Sequence, residues 1–219
     1  MISAPQLEHW VQLSGISWET YDRLQTELRD RRLRLTFHHG VLDIMAPSAE
    51  HEYYKKVVGR FVETIAEELK INLYPLGSTT LNRPDIESGA EPDECFYVQN
   101  LAAIQGKTRI NLAHDPVPDL VIEIDITSRS DNRMTTYAAL GIPELWRYDG
   151  STFTVWQLQA GQYLESDRSL AFPTIPVRDI AQFLQRATTT DYLELVRQFR
   201  AWVQQQLDSD GEGQGNAIK

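Results

Sequence analysis

The sequence predicts a mixed α/β domain, a β-sheet with helices on both faces. Three observations carry that expectation. Patterned segments succeed one another as helix, strands, helix, strands, helix, strand, an order that suits a mixed sheet flanked by helices. At the centre of the chain residues 119–126 read DLVIEIDI, so Leu120, Ile122, Ile124 and Ile126 share one face of an extended strand, and Asp119, Val121, Glu123 and Asp125 the other. The stretch YAALGIPELWRYD at 137–149 then changes from helical to strand spacing at Gly141, a natural helix stop.

Ser17 is placed to cap a first helix striped by Trp18, Tyr21, Leu24 and Leu28. LRLTFHHGVLDIMA at 33–46 alternates around His39-Gly40, which predicts two strands joined by a tight turn with glycine at a positive φ. Ser48 caps a long helix whose apolar face holds Tyr54, Val57, Val58, Phe61, Ile65 and Leu69. A strand is expected over 71–80, and a loop over 81–90, where Asn82, Pro84, Asp85, Ser88 and Gly89 gather. After Pro92 a strand sets Asp93, Cys95 and Tyr97 against Glu94 and Phe96. Residues 101–111 suggest a short helix and a connection.

Pro118, which cannot donate to a sheet ladder, suits the opening of the central strand. A polar turn at 127–131 is expected to cap a helix through Met134, Tyr137, Ala138 and Leu140, followed by a strand over 142–148. Asp149-Gly150 begins a hairpin into TFTVWQLQ, and Gly161 marks another turn. A short helix at 180–184 precedes a long one capped by Thr190 and striped by Tyr192, Leu195, Val196, Phe199, Trp202 and Val203. Residues 207–219 lack periodicity and read as a disordered tail behind a single domain, 1–206.

At 219 residues, 42% hydrophobic and 24% charged, the chain is long enough for one substantial core. No run approaches the roughly 18 apolar residues that cross a membrane, and MISAPQLEHW lacks a basic segment followed by a hydrophobic one. A cytoplasmic protein with no membrane partner is the expectation. The single cysteine, Cys95, excludes an internal disulfide and a cysteine-rich zinc site, so any metal falls to oxygen or histidine ligands. No dinucleotide fingerprint, Walker loop, nucleophile elbow or metalloprotease helix motif is present. The net charge of -10 works against sequence-independent binding of phosphates. A local strip of Arg29, Arg31, Arg32 and Arg34 can serve instead, although it also reads as a solvated helix end.

Acids fall on three separate segments: Glu50 and Glu52 at a helix start, Asp93 on one strand, and Asp119, Glu123 and Asp125 on another. Three acids on one face within about 20 Å of strand repel one another unless a cation or basic partners offset the cost. Magnesium takes such carboxylate oxygens, keeps several waters and completes its shell with phosphate oxygens. Plainer readings stand beside this one. The central strand can be an antiparallel edge with its acids in water, or its acids can bond backbone amides. Glu50 and Glu52 can simply complement a helix dipole, and His38 and His39 can be solvated at their hairpin tip.

EPD at 91–93, PDLVIEI at 118–124 and YAALGIPELWRYD at 137–149, preceded by SAEHEYY at 48–54, resemble the Uma-two family of restriction-endonuclease-like proteins. That family lies within the PD-(D/E)xK nuclease superfamily, and the resemblance runs from the first hairpin through Asp149. It implies a restriction-endonuclease-like mixed β-sheet with an αβββαβ core, here with extra β-hairpins and C-terminal helices. It further implies a magnesium-dependent endonuclease, with manganese as the alternative ion, that cuts DNA and works as a homodimer.

Residue by residue, Asp93 resembles the aspartate of the PD element, Glu123 the acid of (D/E)xK, and Asp119 a family acid beginning the same strand, all three as metal ligands. The usual lysine two residues after the acid is replaced by Asp125. Relatives resembling this chain supply a lysine from the following helix, where this sequence has Arg133. Arginine stays protonated with a pKa above about 12, so Arg133 is expected to stabilise phosphate charge rather than act as a base. Glu50, His51, Glu52 and Asp125 stand as supporting residues. Arg129 is a candidate partner for Asp125, and Lys55 or Lys56 can reach the site from the preceding helix. A catalytically degenerate member that binds nucleic acid or protein through the same cleft is the competing expectation. A hydrolase of smaller phosphate esters is a third, and it suits the net charge.

Overall fold

The computed structural model describes residues 9–126 and 131–215, beginning with the edge strand β1 (His9–Ser14), exposed along its whole length. Ser17 accepts a hydrogen bond from Thr20 N at 3.2 Å and opens α1 (Trp18–Leu28). Strands β2 (Arg34–His38) and β3 (Val41–Ala46) form the expected hairpin, with positive φ at both His39 and Gly40. Tyr21 stacks on Phe37 at 4.9 Å between ring centroids, so α1 closes over this hairpin through a small apolar cluster with Leu35 and Leu42.

Ser48 Oγ caps α2 (Ala49–Leu69) by accepting from His51 N at 3.1 Å. Between positions 71 and 90 the structure departs from expectation. Only Tyr74–Pro75 pairs as a strand, β4, and the expected loop folds instead as a hairpin of β5 (Leu81–Arg83) and β6 (Ser88–Ala90) around a 3-10 turn at Pro84–Ile86. Three-residue strands carry too little alternation to be read from pattern. The hairpin is fixed by tertiary contact: at Gly89 a Cβ would overlap Tyr21 Oη and Asn82 Oδ1.

Next come β7 (Glu94–Tyr97), α3 (Leu101–Ile104) and the central strand β8 (Leu120–Ile124). Helix α4 (Asp131–Leu140), whose expected capping turn lies partly outside the described residues, leads through Gly141 into β9 (Glu144–Tyr148). Strands β10 (Phe153–Gln159) and β11 (Gln162–Ser166) form the next hairpin, and α5 (Ala181–Leu184) and α6 (Tyr192–Gly215) end the fold. Helix α6 begins two residues after Thr190, with the Asp191 carbonyl accepting from Leu195 N at 2.8 Å. It continues through Gly215, into the stretch expected to be irregular, and residues 216–219 lie outside the described ones.

The strands make two sheets. One is antiparallel in the order β1-β3-β2-β6-β5, and the other is mixed in the order β11-β10-β9-β8-β7-β4. Strand β8 is interior, antiparallel to β7 and parallel to β9, so its acids do not line a water-facing edge. Leu120, Ile122 and Ile124 lie under Val57, Val58 and Phe61 of α2, and Val121 meets Tyr137, Leu140 and Leu145 on the opposite face. Phe61 stacks on Phe199 at 3.9 Å, which ties α2 to α6. Helix α4 contacts β2 and β6 of the first sheet as well as β11 of the second, so it wedges between the two.

Candidate active site

The β7–β8 register pairs Glu94 with Ile122 and Cys95 with Val121, and one step further along it Asp93 falls opposite Glu123. Asp93 Oδ2 accepts from Ile124 N at 2.8 Å and lies 3.0 Å from His51 Nε2, the residue that the Ser48 cap places in the first turn of α2. Asp93 Oδ1 is buried with no hydrogen-bond partner among the described residues, and Arg34 Nε is 4.0 Å away. From α4, Arg133 Nη1 donates to Glu123 Oε2 and Tyr137 Oη to Glu123 Oε1. Positions four apart share a helix face, which explains why these two side chains converge on one carboxylate. Asp125 Oδ2 accepts from Arg147 Nε at 2.6 Å.

Asp93 is 0% exposed and Glu123 1%, and the electrostatics follow from that burial. For Glu123 burial is the largest cause, and with the charges of Asp93 and Asp125 it outweighs the pull of Arg133, pushing the carboxyl up to about 7. Asp125 is likewise pushed up to about 6 by burial, against Arg133 and Arg147. At Asp93 burial is again the largest contribution, but the His51 hydrogen bond and charge, with Arg133 and the Ile124 N–H, hold the carboxyl below its ordinary value. Arg133 is held firmly protonated by Glu123, Asp93 and Asp125 in spite of its own burial.

Asp93, Glu123, Asp125, Arg133 and His51 therefore come together. Asp119 does not join them. Its carboxylate accepts from Val98 N at 2.7 Å, Asn100 N at 2.9 Å and Asn100 Nδ2 at 2.7 Å, at the other end of β8. It anchors the turn after β7, apart from the Asp93–Glu123 pair that it was expected to join as a metal ligand. Arg133, expected to face a phosphate, is instead buried against Glu123. Glu50 is exposed on the first turn of α2, and Glu52 sits at the rim between Arg34 at 3.6 Å and Lys55 at 3.9 Å. Lys55 Nζ turns to Ser78 Oγ at 3.2 Å.

Arg129 lies outside the described residues, and Asp125 takes Arg147 as a partner. His38 bonds Ser88 Oγ through Nδ1 at 2.7 Å, and His39 is exposed. Of the basic strip, Arg29, Arg31 and Arg34 line a cavity of about 270 Å³ beside the acidic cluster. Sequence reasoning gave no role to Tyr137 or Arg147, which read as core and strand residues. It also passed over Asp43, buried on β3, which accepts from Gln12 Nε2 at 3.0 Å and from Asn132 Nδ2 on α4. An inward-facing acid between apolar neighbours in LDIM was the available signal for Asp43.

Among the described residues no group of three or more His, Cys, Asp or Glu side chains is arranged to hold a metal. A magnesium ion needs only one or two carboxylates and takes the rest of its shell from water and substrate. Asp93 and Glu123 supply hard oxygen donors from adjacent strands, and Asp93 Oδ1, without a hydrogen-bond partner among the described residues, is an available one, so the residues fit such an ion.

The chain matches the family Uma2, described as "Putative restriction endonuclease", over residues 18–190. It is similar to a solved structure from Anabaena variabilis ATCC 29413, described as "a putative nuclease belonging to DUF820", with 15% identity and a TM-score of 0.51. That alignment covers 77% of this chain and 99% of the other, and at such identity it shows a shared fold. No curated protein matches the chain.

Proposed function

Since the chain belongs to the Uma2 family of restriction-endonuclease-like proteins, we propose that it is a magnesium-dependent endonuclease that hydrolyses DNA phosphodiester bonds. The observation that supports this most is the placement of Asp93 opposite Glu123, with one buried carboxylate oxygen of Asp93 lacking a hydrogen-bond partner among the described residues. Those two residues would hold the ion, which when bound polarises the phosphodiester and activates water. His51 and the Ile124 N–H fix Asp93, while Tyr137 and Arg133 fix Glu123. Asp125, where the usual motif has lysine, has a carboxyl pushed up to about 6, close to the range in which a group accepts a proton near neutral pH. Arg133 cannot serve as that base. A homodimer would bring two such sites to the two strands of a duplex, and sedimentation velocity tests for it.

Replacing Glu123 with alanine should abolish magnesium- or manganese-dependent cleavage and weaken metal binding in calorimetry, with the circular dichroism spectrum retained. Full cleavage by that variant would overturn the assignment. One observation favours a second reading, a binding module without catalysis: both Glu123 oxygens are engaged by Arg133 and Tyr137. Arg133→Lys separates the two, because cleavage gained by the lysine variant of an inactive protein would mean that the scaffold lacked only that group.

A further inference from the structure

Asp93 immediately precedes β7 and Glu94 opens it, and Glu94 lines a cavity of its own. On α2, His51 Nε2 lies 3.0 Å from Asp93 Oδ2, and Gly59, about two turns further along the helix, faces the Glu94 carboxylate. A Cβ at Gly59 would lie 3.5 Å from the Glu94 carboxylate and one at Gly77 3.7 Å from Oε2, so two glycines border the group. Glu94 is 8% exposed, yet its carboxylate accepts no hydrogen bond among the described residues. Burial raises its pKa, and Lys55 and Lys56 are the cations that oppose the shift. The carboxylate lines a cavity, so its hydrogen bonds are left to the solvent or ligand that fills that cavity.

The cavity in front of Glu94 has a volume of about 450 Å³, within the range of small-molecule sites of roughly 300–1,000 Å³. Its chemistry is divided. Glu94 offers two acceptor oxygens at the floor, and Tyr192 and Phe96 supply aromatic surface. Lys56 is an exposed cation with no ion pair or hydrogen bond among the described residues, whereas Arg60 is already held by Glu63 at 3.2 Å and Glu67 at 3.0 Å. An acceptor pair, an aromatic surface and an exposed cation with no ion pair among the described residues together suit a planar heterocycle that carries hydrogen-bond donors and a phosphate.

Among the nucleobases, only guanine presents two adjacent donors, N1–H and N2–H, that match both oxygens of one carboxylate. Adenine and cytosine set a donor beside an acceptor. We propose that this cavity binds a guanine nucleotide, with Glu94 accepting from the Watson–Crick edge of the base, Tyr192 against its face and Lys56 at its phosphate. The source is either a free nucleotide or an unstacked guanine of a single strand, as enzymes that read extruded bases do. Only the strand source rests on the nuclease reading.

The test is calorimetry of the full chain in EDTA with GMP, AMP and CMP, and with thymidine oligonucleotides that carry or lack a single guanine. GMP, or the guanine oligonucleotide, should bind at least about tenfold tighter than its competitors. Preference for GMP alone assigns the free nucleotide, and preference for the oligonucleotide assigns the strand. Glu94→Gln, which loses no hydrogen bond among the described residues, should weaken guanine about tenfold and gain adenine, because a carboxamide offers one donor and one acceptor. Lys56→Ala should weaken GMP and leave guanosine unchanged. Absence of guanine preference in both free and strand form, or unaltered selectivity in Glu94→Gln, would overturn the proposal. Because the titrations omit metal, they read separately from any failure of cleavage.

Discussion

Asp93 and Asp119 are both buried carboxylates beside a strand end, yet their substitution should have opposite consequences. Asp119→Ala strips the acceptor from three donors at Val98 and Asn100 and should cost on the order of 2 kcal/mol in denaturant unfolding while leaving metal affinity unchanged. Loss of metal binding in that variant would return Asp119 to the site. The pH dependence of stability is the second residue-scale expectation. Glu123 and Asp125 have folded pKa values near 7 and 6, above the ordinary 4.5 and 3.8, so between those limits the native state binds more protons than the unfolded chain. Their contribution is present at low pH and lost as pH rises toward 7, whereas the depressed Asp93 contributes stability that is lost as pH falls. Unfolding free energies from urea titrations at about pH 5 and 7.5 should therefore show a decline on the order of 2 kcal/mol that Glu123→Gln reduces. Strand alternation sufficed to place Asp119, Glu123 and Asp125 on one face. It could not show that the turn after β7 claims Asp119, because that depends on a neighbouring strand's exit.

Among the elements, the hairpin of β5 and β6 tests how α1 is seated. Gly89 has no room for a side chain beneath Tyr21 Oη, which itself donates to Asn82 Oδ1 at 2.9 Å. Gly89→Ala should destabilise the fold by about 1–3 kcal/mol through overpacking, read as a lower thermal midpoint, and an unchanged midpoint would show that α1 yields easily. Elements with several turns or alternations were legible: α1, the first hairpin, α2, β8, α4 and β9 all announce themselves by apolar period and cap. Residues 71–90 were not, since close approach of α1 to a glycine is a contact between distant segments, invisible to local pattern.

At the scale of the molecule, the division into two sheets hinges on α4, whose wedge between them joins Asn132 to Asp43 on one side and Arg133 to Glu123 on the other. Composition could bound the core's size but could not assign α4 two partners. The acidic surface, at a net charge of -10, confines any phosphate contact to local basic sites such as the cavity lined by Arg29, Arg31 and Arg34. Cys95 carries a last consequence. Its thiol is 0% exposed and pushed up to about 12 by burial, so an alkylating reagent meets neither a thiolate nor an accessible sulfur in the native state. Modification must await separation of β7 from its neighbours, and should proceed at least about 1,000-fold more slowly than with a free thiol. The chain thus carries its own clock for excursions of the very strand that bears Glu94 and adjoins Asp93. The time constant of labelling, followed by mass, would report how often that strand lets go, without any introduced probe.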